Sequence, residues 1–98
     1  MATSKPPQLT AADAAFLERC RQDLDAFFAL GDGVVGIVRR TAPGGMVELE
    51  AEVVVSGLRA SFSARGETII EAYAHLRAAA PEARLALAFR AVMDEPGR

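Results

Sequence analysis

Between Met46 and Gly66 the chain reads MVELEAEVVVSGLRASFSARG, and its apolar and polar residues alternate almost without interruption. Val47, Leu49, Ala51, Val53 and Val55 fall on one side, with Glu48, Glu50, Glu52 and Val54 on the other. A period of two over that length predicts a β-strand with one dry face and one wet face. Ser56-Gly57 supplies a two-residue turn, because glycine tolerates the positive φ of tight hairpins. From Leu58 to Ala64 the alternation resumes, Leu58, Ala60, Phe62 and Ala64 against Arg59, Ser61, Ser63 and Arg65. The turn sets a register pairing Val55 with Leu58, Val53 with Ala60, Ala51 with Phe62 and Leu49 with Ala64. Glu52 then faces Ser61, Glu50 faces Ser63 and Glu48 faces Arg65. A slip of one residue would destroy the apolar and the polar set together.

Helical periodicity flanks this hairpin. Thr10 and Asp13 form a cap, and a helix is expected from Ala11 to about Leu30, stopping at Gly31. Phe16, Leu17, Cys20, Leu24, Phe27 and Phe28 lie within roughly 120° of one another on its wheel. A first strand is expected over Val34 to Arg40, followed by a loop from Thr41 to Gly45. If Arg39 falls opposite Glu48, then Arg39, Glu48 and Arg65 form a ladder across three strands, the register being open by one residue. After the hairpin, Thr68 and Glu71 make a second cap for a helix to about Ala80. Ile69, Ala72, Tyr73, Leu76 and Ala79 share one of its faces. Pro81 fits the first turn of a helix but disrupts an interior, so a third helix is expected from Pro81 to Met93. It carries Leu85, Ala88, Phe89 and Val92 on one side and Leu87 on the other.

The expected architecture is an α+β two-layer sandwich of order α-β-β-β-α-α, with a three-stranded antiparallel sheet and the helices on one face. Residues 10–93 form the single domain, residues 1–9 a disordered tail and residues 94–98 a flexible end. Ninety-eight residues suffice for one core. A lone cysteine excludes an internal disulfide and, with no secretory segment, fits a reducing, cytoplasmic location. No apolar run approaches the roughly 20 residues of a membrane span. A net charge of -2 gives no global attraction to nucleic acid or anionic lipid. The preference for Arg over Lys and the abundance of Ala point to a GC-rich bacterial coding sequence.

The α-β-β-β-α order resembles the double-stranded RNA-binding domain, most closely from Val47 to Ala80, where an alternating hairpin leads through Gly66 and the Thr68 cap into a helix of small and apolar residues. That resemblance implies phosphate contacts from lysines in the first turns of the last helix. The corresponding positions hold Ile69, Ile70 and Tyr73, with Glu71 between them, and the Thr41–Gly45 loop lacks the family's histidine. Phosphate neutralisation drives duplex binding, so this surface is not suited to it. A more local stretch, ARGETIIEAYAHLRAA from Ala64 to Ala79, is similar to HicB-type antitoxins through Gly66, Thr68, Glu71, Ala72, Leu76 and Ala79. It lacks the family's Pro-Gly-Cys loop and a following DNA-binding segment.

Candidate chemistry is sparse. Gly31-Asp32-Gly33-Val34-Val35-Gly36 matches GxGxxG, yet it follows a helix and precedes a strand, the reverse of a dinucleotide site, so no cofactor is expected. Cys20 lies mid-stripe in the first helix, where a buried thiol packs rather than reacts. His75 reads as a solvated partner of Glu71. Glu48, Glu50 and Glu52 line one strand face at roughly 6.5–7 Å spacing, with no apolar pocket to raise a carboxyl pKa and no loop to converge them on a metal. With Arg39, Arg59 and Arg65 they constitute a charged sheet face. Ile70, Tyr73 and Leu87 form a candidate interface, Ile70 and Leu87 falling outside their core stripes. These features favour a non-enzymatic interaction domain associating with itself or a protein partner through helix surfaces. The alternative is a nucleic-acid binder using Arg39, Arg40, Arg59 and Arg65.

Overall fold

The computed structural model describes residues 10–28, 33–55 and 57–93. The expected tails, the helix end at Leu30 and Gly31, and Ser56 of the hairpin turn lie outside these residues. Helix α1 spans Ala11–Phe28, strand β1 Val34–Ala42, strand β2 Met46–Val55, strand β3 Leu58–Gly66 and helix α2 Ile69–Met93. The sheet order is β1-β2-β3, both pairings antiparallel, with α1 packed on β1 and α2 on β3 and β2. This is the expected α+β two-layer sandwich with one open sheet face.

Both caps form as their residue types require. Thr10 Oγ1 accepts from the Asp13 main-chain N–H at 3.0 Å. Thr68 Oγ1 accepts from the Glu71 N–H at 3.1 Å, while Glu71 Oε1 reaches back to the Glu67 N–H at 2.5 Å. The β2–β3 register is the one the alternation specifies, from Val55 opposite Leu58 to Glu48 opposite Arg65. Gly57 takes φ +79°, which the turn demands and side chains resist.

Two expectations are corrected. β1 continues through Thr41 and Ala42 and closes on β2 by a three-residue 3-10 turn, Pro43–Gly45, with Ala42 opposite Met46. That closure sets Arg40, not Arg39, opposite Glu48 and places Arg39 beside Leu49 on the helix-covered side. Arg39 is therefore no part of the open charged face.

The second correction concerns Pro81. There is no separate third helix: α2 runs through the proline to Met93. Pro81 is exposed, so its missing N–H and its ring are accommodated on the outer side, while the inner side stays packed. Leu76, Ala80, Ala83 and Leu87 recur at steps of four, three and four along this unbroken helix, and all join the core cluster. Leu87 is only 5% exposed, against the expectation that it faced away from the core. The remaining core comprises Leu17, Leu24 and Phe28 of α1, Val35 of β1, Val47, Leu49, Ala51 and Val53 of β2, and Ala72 of α2.

Gly66 is the hinge between sheet and helix. A Cβ there would press into the main-chain nitrogen of Ala72 and stand 2.8 Å from the Glu71 carbonyl carbon. Only a residue without a side chain lets α2 begin so close to the end of β3.

Candidate functional site

Three surfaces carry the chemistry of this molecule: the open sheet face, the seam between the helices, and the outer side of α2. On the open face the central strand contributes Glu48, Glu50 and Glu52, and the flanking strands contribute arginines. Arg40 pairs with Glu50; Arg59 Nε lies 3.4 Å from Glu52 Oε2; Arg65 Nε lies 3.3 Å from Glu48 Oε1. Three carboxylates are matched by three guanidinium groups, one to one. Such a face has little net field and leaves no carboxylate pair free for acid–base work. A shallow depression of about 250 Å³ lies among Gly36, Val38, Arg40, Glu50 and Glu52. Among the described residues no group of three metal-ligating side chains assembles.

At the seam, Tyr73 donates its hydroxyl hydrogen to Asp23 Oδ2 at 2.6 Å, and Arg77 Nε donates to the same oxygen at 2.9 Å. The Tyr73 bond, then the Arg77 bond and charge, hold the Asp23 carboxyl below the usual range. Burial, with the adjacent Asp23, pushes the Tyr73 phenol upward. Phe16 meets the Tyr73 ring edge-on at 6.1 Å, so the ring is part of the helix–helix contact. Tyr73, expected as an interface residue, is half-buried within its own domain. Cys20 is buried beneath this seam, and burial pushes its thiol up to about 11. His75, expected beside Glu71, instead donates from Nδ1 to the Arg65 carbonyl at 2.7 Å.

Of the expected interface trio, Ile70 is exposed at 66% while Leu87 is buried. The structure does not bring Ile70, Tyr73 and Leu87 together as one surface. The exposed apolar surface lies elsewhere, on the outward side of the last three turns of α2. Leu85, Phe89, Val92 and Met93 are 69%, 66%, 68% and 68% exposed. Leu85, Phe89 and Val92 repeat at i, i+4 and i+7, which sets them in one stripe opposite the Leu76–Leu87 core stripe.

This stripe borders a groove of about 260 Å³ lined by Phe27, Pro81, Arg84, Leu85 and Ala88. Phe27 of α1 forms an aromatic wall beneath the Arg77 guanidinium at 4.2 Å and the Arg84 guanidinium at 5.2 Å. Arg77 is committed to Asp23. Arg84 is exposed and makes no ion pair among the described residues. The stripe residues were visible in the sequence, but a wheel restarted at Pro81 assigns them to the core. Continuing the phase of Leu76 and Ala80 through the proline turns them outward.

No helix among the described residues is long and apolar enough to cross a membrane. Compared with protein-family models, curated proteins and solved structures, the chain matches none.

Proposed function

We propose that this domain is a non-enzymatic interaction module whose docking surface is the outer side of α2 with the adjoining Phe27–Arg84 groove. The observation that carries the reading is the exposure of Leu85, Phe89, Val92 and Met93 on one stretch of helix. Four large apolar side chains, each about two-thirds exposed within three turns of one helix, form the kind of surface cluster that often marks an interaction site.

The occupant that fits is an amphipathic segment of a partner protein bearing an acidic side chain beside its apolar anchors. Its anchors cover the Leu85–Phe89–Val92 stripe and enter the groove over Ala88. Its carboxylate meets Arg84, the guanidinium lining this groove, which no carboxylate among the described residues neutralises. Polar groups elsewhere support a binding rather than a catalytic role, because the sheet-face carboxylates are each matched to an arginine and the Cys20 thiol is buried. The three sheet-face arginines, Arg40, Arg59 and Arg65, are engaged in those pairs and lie on a different surface from the stripe.

Fluorescence polarisation with labelled synthetic helical peptides tests this. The peptides share leucines at i, i+3, i+4 and i+7 and differ only in glutamate or lysine flanks. The glutamate peptide is expected to bind saturably and at least several-fold more tightly than the lysine peptide. Arg84→Glu reverses that preference, and Phe89→Asp abolishes binding of both. Equal affinity for the two peptides, or binding that survives Phe89→Asp, contradicts the reading.

A further inference from the structure

The two free edges of the sheet are finished differently. Val55 and Leu58 close the tight hairpin as a directly bonded pair, and the ladder alternates from there. Arg59, Ser61, Ser63 and Arg65 consequently turn their main-chain groups outward along β3. Side chains of α2 take both ends of that outward row. Arg90 donates to the Arg59 carbonyl at 2.5 Å, and His75 donates to the Arg65 carbonyl.

Carried across β2, the same alternation turns Val35, Ile37, Arg39 and Thr41 outward on β1. No hydrogen bond from the described residues reaches that row beyond the ladder itself. Two further groups on β1 lack partners. Arg39 Nε is buried without a hydrogen bond, and Val38, at the middle of the strand, is 53% exposed on the open face. A nine-residue edge rich in β-branched residues, with no proline within it, is a template for another strand.

We infer that β1 pairs antiparallel with β1 of a second copy, joining the two sheets into one of six strands about an axis through Val38. The register follows from overlap and charge. With Val38 opposite its own equivalent, all nine residues are paired. Val35 then meets Thr41 of the second copy, and Ile37 meets Arg39. About eight main-chain bonds result, two for each outward-facing pair, close to the roughly ten direct hydrogen bonds of a standard interface. On the open face Val38 covers Val38, and the stem of Arg40 crosses Gly36, above which a Cβ would find nothing within 4 Å. Shifting two residues one way sets Arg39 against Arg39, and shifting the other way leaves Thr41 unpaired.

This interface is separate from the outer side of α2, so each can be tested alone. Val38 of the two copies forms a non-hydrogen-bonded pair in this register, with Cα atoms about 4.5 Å apart, within reach of a disulfide. The full chain is measured by light scattering over a hundredfold concentration range, and Val38→Cys and Arg40→Cys are oxidised and run without reductant. The wild type, whose one thiol is buried, serves as the blank. The expected results are a dimer, a covalent dimer from Val38→Cys, and at least tenfold less from Arg40→Cys. Ile37→Pro, which removes an outward N–H together with a half-buried side chain packed on the core, is expected to give a less stable monomer that keeps a folded circular-dichroism spectrum. Phe89→Asp is expected to leave the dimer intact. A monomeric wild type, equal cross-linking at both cysteines, or dissociation by Phe89→Asp overturns the inference; cross-linking decides it even if Ile37→Pro does not fold.

Discussion

The Tyr73 hydroxyl lies 2.6 Å from Asp23 Oδ2 and joins α2 to α1 across fifty residues of sequence. The two helices touch the sheet on different strands, and this bond, the Arg77–Asp23 bond and the Phe16–Tyr73 ring contact join them directly to each other.

Tyr73→Phe is expected to lower stability by about 1 kcal/mol at pH 7, since it leaves a half-exposed carboxylate short of one donor. For a domain of this size that is a fall of about 4–8 °C in Tm. Thermal melts of the two proteins at one concentration check it.

The depressed Asp23 carboxyl carries a pH signature. A carboxylate whose folded pKa is below its unfolded value, about 3.9, stabilises the fold above that pH and loses the contribution as pH falls through the folded value. Asp23→Asn is therefore expected to be less stable than wild type at pH 7. The gap should close below about pH 4. Urea midpoints across pH 2.5–7 show whether it does; a gap independent of pH would mean the charge is not involved.

Gly66→Ala is expected to cost at least 2 kcal/mol, because the added methyl meets main-chain atoms of α2 rather than a side chain that could swing away. Gly36→Ala, where a Cβ meets nothing, is the control and should change stability by less than about 1 kcal/mol.

Cys20 is expected to resist iodoacetamide at pH 8 in the folded chain, since its thiol is buried and pushed up to about 11. Unfolding in guanidinium should restore ordinary reactivity, with one equivalent taken up.

The hairpin was fully legible, because Ser56-Gly57 and two alternating strands each specify the same register. The β1–β2 pairing was not. Arg39 and Arg40 are adjacent and chemically identical, so only the length of the Pro43–Gly45 turn decides which one faces Glu48. The charged face was accordingly read with Arg39 where Arg40 stands. Leu87 was misplaced for a different reason. Proline removes one helical hydrogen bond, but the packing of Ala80, Ala83 and Leu87 against the sheet holds the helix together across the gap. Once α2 is continuous, the stripe from Leu85 to Val92 has to face outward. His75 and Arg90 could not be assigned from periodicity, because their partners are edge carbonyls whose direction depends on the ladder.

The core and the proposed docking surface both depend on the phase of α2 beyond Pro81, and paired alanine substitutions at Leu87 and Phe89 test that phase most directly. Measured by urea denaturation, Leu87→Ala should cost about 2–5 kcal/mol as a buried truncation. Phe89→Ala, at an exposed position, should cost less than about 0.5 kcal/mol. The reverse order would mean that α2 breaks at Pro81 and that its last turns present the opposite side to the sheet.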